Sequence, residues 1–181
     1  MVGRQLDSGK FRRFRHECDV SGPELEDPFI DARYVGLDIS STMVSLAQER
    51  LKPWSERARV DQSDGASSIH EPDHCFDRFV STYVFDLLAP DFILRLLSEA
   101  HRVLAPGGKL CMVSMTFGAS HVRRAVCWGW QRLWRLSPGI VGGCHPIEFS
   151  YYLPSEEWNT DHQTKVTSWG LSSEVLVASA R

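Results

Sequence analysis

Tyr34-Val-Gly-Leu-Asp38-Ile-Ser-Ser-Thr-Met43 is the stretch that decides the fold. An apolar run ends in an aspartate, and Ser40 or Ser41 then caps an apolar-periodic helix. That is the layout of a doubly wound sheet, where ligands sit beyond the carboxyl ends of the strands. A carboxylate at such a tip can accept from two neighbouring hydroxyls at once. The competing role for Asp38 is that of an N-cap.

Downstream, strands and helices alternate. Residues 33–39 read as a buried parallel strand. Residues 41–51 read as an amphipathic helix, with Met43, Leu46, Ala47 and Leu51 on one face. A weaker strand is expected over 57–62, followed by a turn at Ser63-Asp64-Gly65, and a further strand over 76–84. Pro90 opens a helix that carries Ile93, Leu96, Leu97 and Ala100 at helical spacing and runs to Leu104. Pro106-Gly107-Gly108 stops it, and Lys109 to Met115 forms a strand. A tryptophan-rich helix is expected over 119–136. Pro154-Ser-Glu-Glu-Trp reads as a short helix start. Strands near 162–169 and 173–179, with Gly170 between them, make a terminal hairpin. The fold class is therefore α/β, a Rossmann-like doubly wound and mostly parallel sheet with a C-terminal antiparallel hairpin.

Composition narrows the class. The 181 residues suffice for one domain, and a net charge of −3 argues against a nucleic-acid binder driven by overall charge. The five cysteines are odd in number and scattered, without a C-x-x-C pair. They indicate a reduced, cytoplasmic protein with no metal site and no disulfide framework. No apolar run reaches the length of a membrane span. The basic N-terminus lacks the apolar core of a secretory signal.

Two segments carry a resemblance. The acid-tipped stretch ending at Asp38 resembles the second strand of class I S-adenosylmethionine-dependent methyltransferases (the type 11-like group). Glu99-Ala-His-Arg-Val-Leu104-Ala-Pro106-Gly107-Gly108-Lys-Leu resembles the return between their fourth helix and fifth strand. The role of that return is structural: proline ends the helix, and glycines permit positive φ. The resemblance implies S-adenosylmethionine as cofactor and a small-molecule acceptor, an apolar one among the readings. It places Asp38 on the ribose hydroxyls, with Ile39 and Met43 beside it. Asp64 and Gly65 fall at the adenine, although Asp-Gly also forms an Asx-turn readily. Ser81 and Thr82 fall near the methionine end. Tyr83, Asp86 and His145 are the weak catalytic candidates, against the plainer readings of core, turn and solvated loop.

The helix over 119–136 places Trp130 and Trp134 on one face. It can cover the sheet, wall an apolar acceptor pocket, or rest on a membrane surface.

Residues 1–32 are polar, contain breakers, and show neither a strand-length apolar run nor a glycine-rich loop of the kind the family carries. They are expected to be irregular, ahead of a partial methyltransferase domain over 33–181. In the family the first strand lies mid-sheet, between strands two and four. Its absence predicts an N-terminally incomplete or diverged methyltransferase. Two alternatives stand beside it: a catalytically inactive pseudo-methyltransferase acting as a binding or scaffold subunit, and a nicotinamide-dependent oxidoreductase.

Overall fold

The computed structural model describes residues 2–5, 32–117, 129, 132, 144–168 and 171–181. Its elements are β1 (Val2–Gln5), β2 (Arg33–Asp38), α1 (Ser41–Leu51), β3 (Ala58–Gln62), β4 (Phe76–Thr82), α2 (Pro90–Val103), β5 (Leu104–Thr116), β6 (Trp158–Ser168) and β7 (Leu171–Ala180). They form one seven-stranded sheet in the order β3-β2-β1-β4-β5-β7-β6.

The expected α/β class holds. β2 pairs with β3, and β4 with β5, in parallel, while β7 runs antiparallel to both β5 and β6. The hairpin begins earlier than the sequence suggested, because Pro154 opens a turn and not a helix. Glu157 and Trp158 N–H groups both return to the Pro154 carbonyl, and Trp158 already starts β6.

The expectation that no strand lies within residues 1–32 is corrected. Val2–Gln5 fills the slot between β2 and β4, but it runs antiparallel to both. Val2 stands opposite Gly36 and Val80, while Gln5 stands opposite Arg33 and Phe76. The strand is four residues long with one strongly apolar member, so it left no periodic signal. Backbone pairing, available to any non-proline residue, forms it.

The main core lies on one face of the sheet. Phe79 and Leu110 of the central strands meet Ile93, Leu96, Leu97, Ala100 and Val103 of α2 there. Val35 faces the same way. On the other face α1 packs against β2 and β3 through Val44. The expected apolar face of α1 is corrected accordingly. Val44 is buried and Ala47 and Leu51 are half-buried, but Met43 and Leu46 are each 52% exposed. The buried stripe is i, i+3, i+7 from Val44.

The Pro-Gly-Gly return departs from expectation in part: the helix ends at Val103, β5 already begins at Leu104 and not at Lys109, and of the two glycines only Gly107 takes a positive φ. Gly107 has φ +77°, and a Cβ at Gly108 would lie 2.8 Å from the Ala105 carbonyl oxygen. Glu99 and Arg102 of the same motif hold the segment before β4. Arg102 donates to Glu99, to Asp73 and to the Glu71 and Ile69 carbonyls, while Glu99 accepts from the Ile69 N–H.

Candidate functional site at the carboxyl edge of the sheet

The carboxyl ends of β2 and β3 form a corner. Asp38 Oδ1 accepts from the Ser40 N–H at 2.8 Å, which aims the carboxylate across the start of α1. Ser40, not Asp38, is the helix N-cap, accepting from Met43 N–H at 3.4 Å. Among the hydrogen bonds of the described residues, none engages Asp38 Oδ2.

Ile39 is 69% exposed. A Cβ placed on Gly65 would lie 3.3 Å from Ile39 Cδ1, and Gly65 itself has φ +83°. The glycine thus allows the β3 turn to close against the isoleucine. Gln62 Nε2 donates to the Ile39 carbonyl at 3.2 Å and fixes the two tips together. Asp64 is exposed, and its Oδ1 accepts from Ala66 N–H at 2.8 Å, so it does form the Asx-turn. Met43 follows on the first turn of α1, also exposed. Beside the corner runs an open groove lined by Leu37, Asp61, Gln62, Ser63, Asp64 and Ile69 among others. An acid, an exposed apolar platform and a close-approach glycine therefore meet at one place.

β4 delivers its end residues to opposite faces. Ser81 is buried and its Oγ has no hydrogen-bonding partner, while Thr82 is exposed. Tyr83 follows with φ +52°, a conformation unusual for a residue with a side chain. Its N–H reaches the Val113 carbonyl at 2.8 Å, and its hydroxyl shares a hydrogen bond with Ser173 Oγ at 2.9 Å.

Asp86 and His145 are brought together. The His145 N–H donates to the Asp86 carbonyl at 2.8 Å, and Ser114 Oγ donates to Asp86 Oδ1 at 3.1 Å. Burial pushes the Asp86 carboxyl above its ordinary range. Burial likewise pushes His145 down, against the pull of the Asp86 charge. Each therefore favours its neutral form. Tyr83 does not join them: its partner Ser173 lies on the other face of β7 from buried Ser172 and Glu174.

Residues missed from sequence include Ser114, Thr116, Ser172 and Glu174, all buried. Their signal was available. In β5 every second residue reads Leu110, Met112, Ser114, Thr116, and in β7 Ser172, Glu174, Leu176, Ala178. Both alternating faces turn polar at the same end of the sheet. The expected tryptophan helix, with Trp130 and Trp134, lies outside the described residues.

Residues 23–108 match the model of a methyltransferase domain family. No curated protein matches the sequence. Among solved structures, PH0226 from Pyrococcus horikoshii is similar at 18% identity and TM-score 0.58, over 81% of this chain and 71% of that one. A SAM-dependent methyltransferase from Methanosarcina mazei gives 18% and 0.59, over 81% of each chain. The N-methyltransferase NodS from Bradyrhizobium japonicum, in complex with S-adenosyl-L-homocysteine, gives 17% and 0.59, over 81% of this chain and 65% of its own. The fold is the one these S-adenosylmethionine-dependent methyltransferases share, and the segment 23–108 is similar in sequence to a methyltransferase domain. Among the described residues no helix is long and apolar enough to cross a membrane.

The residues of the corner fit the adenosine half of S-adenosylmethionine: a carboxylate at the strand tip suits ribose, and exposed Ile39 beside Gly65 offers apolar surface. At the methionine half the fit is incomplete. The end of β1 beside Asp38 and Ser81 is its amino end, Val2, because the strand runs backwards. Among the described residues no glycine-rich loop stands at that edge.

Proposed function

We propose that this protein transfers a methyl group from S-adenosylmethionine to a small-molecule acceptor. The observation that carries the reading is the meeting of Asp38, Ile39 and Gly65 at the carboxyl ends of β2 and β3. Asp38 would accept from the ribose hydroxyls, and Ile39 with Met43 would cover one side of the adenine. Asp64 and Gly65 would border its other edge. Ser81 and Thr82 would flank the methionine end. S-adenosylmethionine, when bound, supplies an electrophilic methyl group. The chain's own task is to position the acceptor and to hold a proton where one is lost. Asp86 and His145 are the groups available for that, with Tyr83 at the rim.

A second reading is a non-catalytic binding subunit, and the reversed β1 favours it, since the strand that should lead into the cofactor cradle points the other way. The nicotinamide alternative has the weaker support, because the family match is to methyltransferase domains.

Titration with S-adenosylhomocysteine, with adenosine and NAD as competitors, tests the reading. Saturable binding displaced by adenosine and not by NAD is expected. NAD displacing as well as adenosine, or no binding at all, sinks it. Binding without methyl incorporation from labelled S-adenosylmethionine into any of a broad acceptor panel moves the conclusion to the binding subunit.

A further inference from the structure

The sheet changes character along one face. Leu110 opposite Ala178 and Met112 opposite Leu176 are apolar rungs. Ser114 opposite Glu174 and Thr116 opposite Ser172 continue the same face as buried polar rungs. Ser81 joins this face through its pairing with Met112, and Asp86 joins through Ser114. The layer thus holds two carboxyl groups, and no lysine or arginine is buried among the described residues.

Its acceptors are under-supplied. Asp86 Oδ2 and Ser81 Oγ are buried without hydrogen-bonding partners. Glu174 Oε1 accepts from Gln163 Nε2 at 2.5 Å, but among the described residues Oε2 has only the Phe149 N–H, at a long 3.3 Å. Native interiors rarely leave such groups unpaired, because each costs about 1–3 kcal/mol. Among the described residues the cation across the ladder from Glu174 is Lys165, and its ammonium is engaged by Glu148 at 3.0 Å.

A cover lies over it. Residues 144–149 cross from Asp86 to β7 by three backbone bonds: His145 N–H to the Asp86 carbonyl, Ile147 N–H to the Met115 carbonyl, and Phe149 N–H to Glu174. The long Phe149 bond is the one a stronger donor would replace. The cover's underside is apolar, with Phe85 and Phe149 in edge contact at 6.1 Å.

We propose that this layer binds the accepting group and that the acceptor is a small amine with an apolar body: it enters as an ammonium that Asp86, ionised by its arrival, holds beside Glu174, and its proton passes to Asp86 before the nitrogen takes the methyl. The assignment rests on the methyl-transfer reading, and names the acceptor class for it. The test is titration of the protein with 2-phenylethylamine and with 2-phenylethanol, which share a shape but not a charge. The amine should bind at least about tenfold more tightly, since a hydrogen bond to a charged group contributes roughly 1.5–3 kcal/mol. Asp86→Asn and Glu174→Gln should each weaken the amine by about tenfold and leave the alcohol unchanged. Binding of S-adenosylhomocysteine and the thermal transition report whether each variant is folded. Equal binding of amine and alcohol, or an amine affinity indifferent to both substitutions, overturns the proposal, and the wild-type comparison decides it even where a variant fails to fold. Failure of the wild type to bind S-adenosylhomocysteine while it binds the amine would instead count against the cofactor site at Asp38.

Discussion

Ser114 on β5 stands directly across the ladder from Glu174 on β7, and both side chains are buried, at 0% and 1% exposure. Rungs of this kind normally carry apolar pairs in an interior sheet, as Met112–Leu176 and Leu110–Ala178 do on the same face. A hydroxyl and a carboxylate in that position must be served by neighbours or by a ligand. Ser114 is served by Asp86, and Glu174 by Gln163 and, weakly, by Phe149. The polar layer therefore costs stability in the free protein unless a bound group serves it.

Asp86 gives that cost a pH dependence. Its carboxyl titrates above the ordinary value because burial disfavours the charge, so the fold prefers its neutral form. The corresponding stability is complete below the unfolded value, about pH 4, and is lost as pH rises through the raised one. Asp86→Asn is neutral throughout. The stability difference, wild type minus variant, should fall as pH rises from about 4 toward 7, read as urea midpoints. His145 contributes in the opposite sense. Its lowered value keeps it neutral in the fold, so its stability is present above about pH 6.5 and lost as pH falls through the folded value. A difference that stays flat with pH contradicts the assignment for Asp86.

Arg102→Ala should loosen the segment that leads into β4. The guanidinium bonds Asp73 at 2.5 Å, the Ile69 carbonyl at 2.7 Å and the Glu71 carbonyl at 2.9 Å, besides Glu99. The side chain is one-third exposed, which discounts the ion pairs. The loss of the carbonyl contacts still leaves about 2–3 kcal/mol. Arg102→Lys should recover little, because an ammonium cannot reproduce the fork. Denaturant unfolding of the three proteins checks this, and a lysine variant as stable as wild type would contradict it.

Gly108→Ala should destabilise by about 1–3 kcal/mol, the usual range for forced overpacking. The added Cβ would meet the backbone oxygen of Ala105 at 2.8 Å, and backbone cannot swing aside as a side chain can. A thermal transition unchanged by the substitution would show that the return can open.

Much of this was legible before the structure. The acid-tipped strand and the helix caps depend on local chemistry, and each appears where the sequence places it. β1 was not legible, because Val2–Gln5 has no apolar periodicity and owes its place to two neighbouring edges that need a partner. The exposure of Met43 and Leu46 was missed for a related reason: which stripe of a helix faces inward depends on the sheet it meets. At the site, Asp38, Ile39 and Gly65 were found by position relative to strand ends. Glu174 and Ser114 were not, because their meaning arises only when β5 and β7 are placed in register.

The most direct test of the account is calorimetric titration of S-adenosylhomocysteine into wild type and Asp38→Asn. Two hydrogen bonds from ribose to a carboxylate, at roughly 1.5–3 kcal/mol each, predict a loss of about a hundredfold or more in affinity for the variant. Equal affinity for the two proteins would contradict the placement of the cofactor at Asp38.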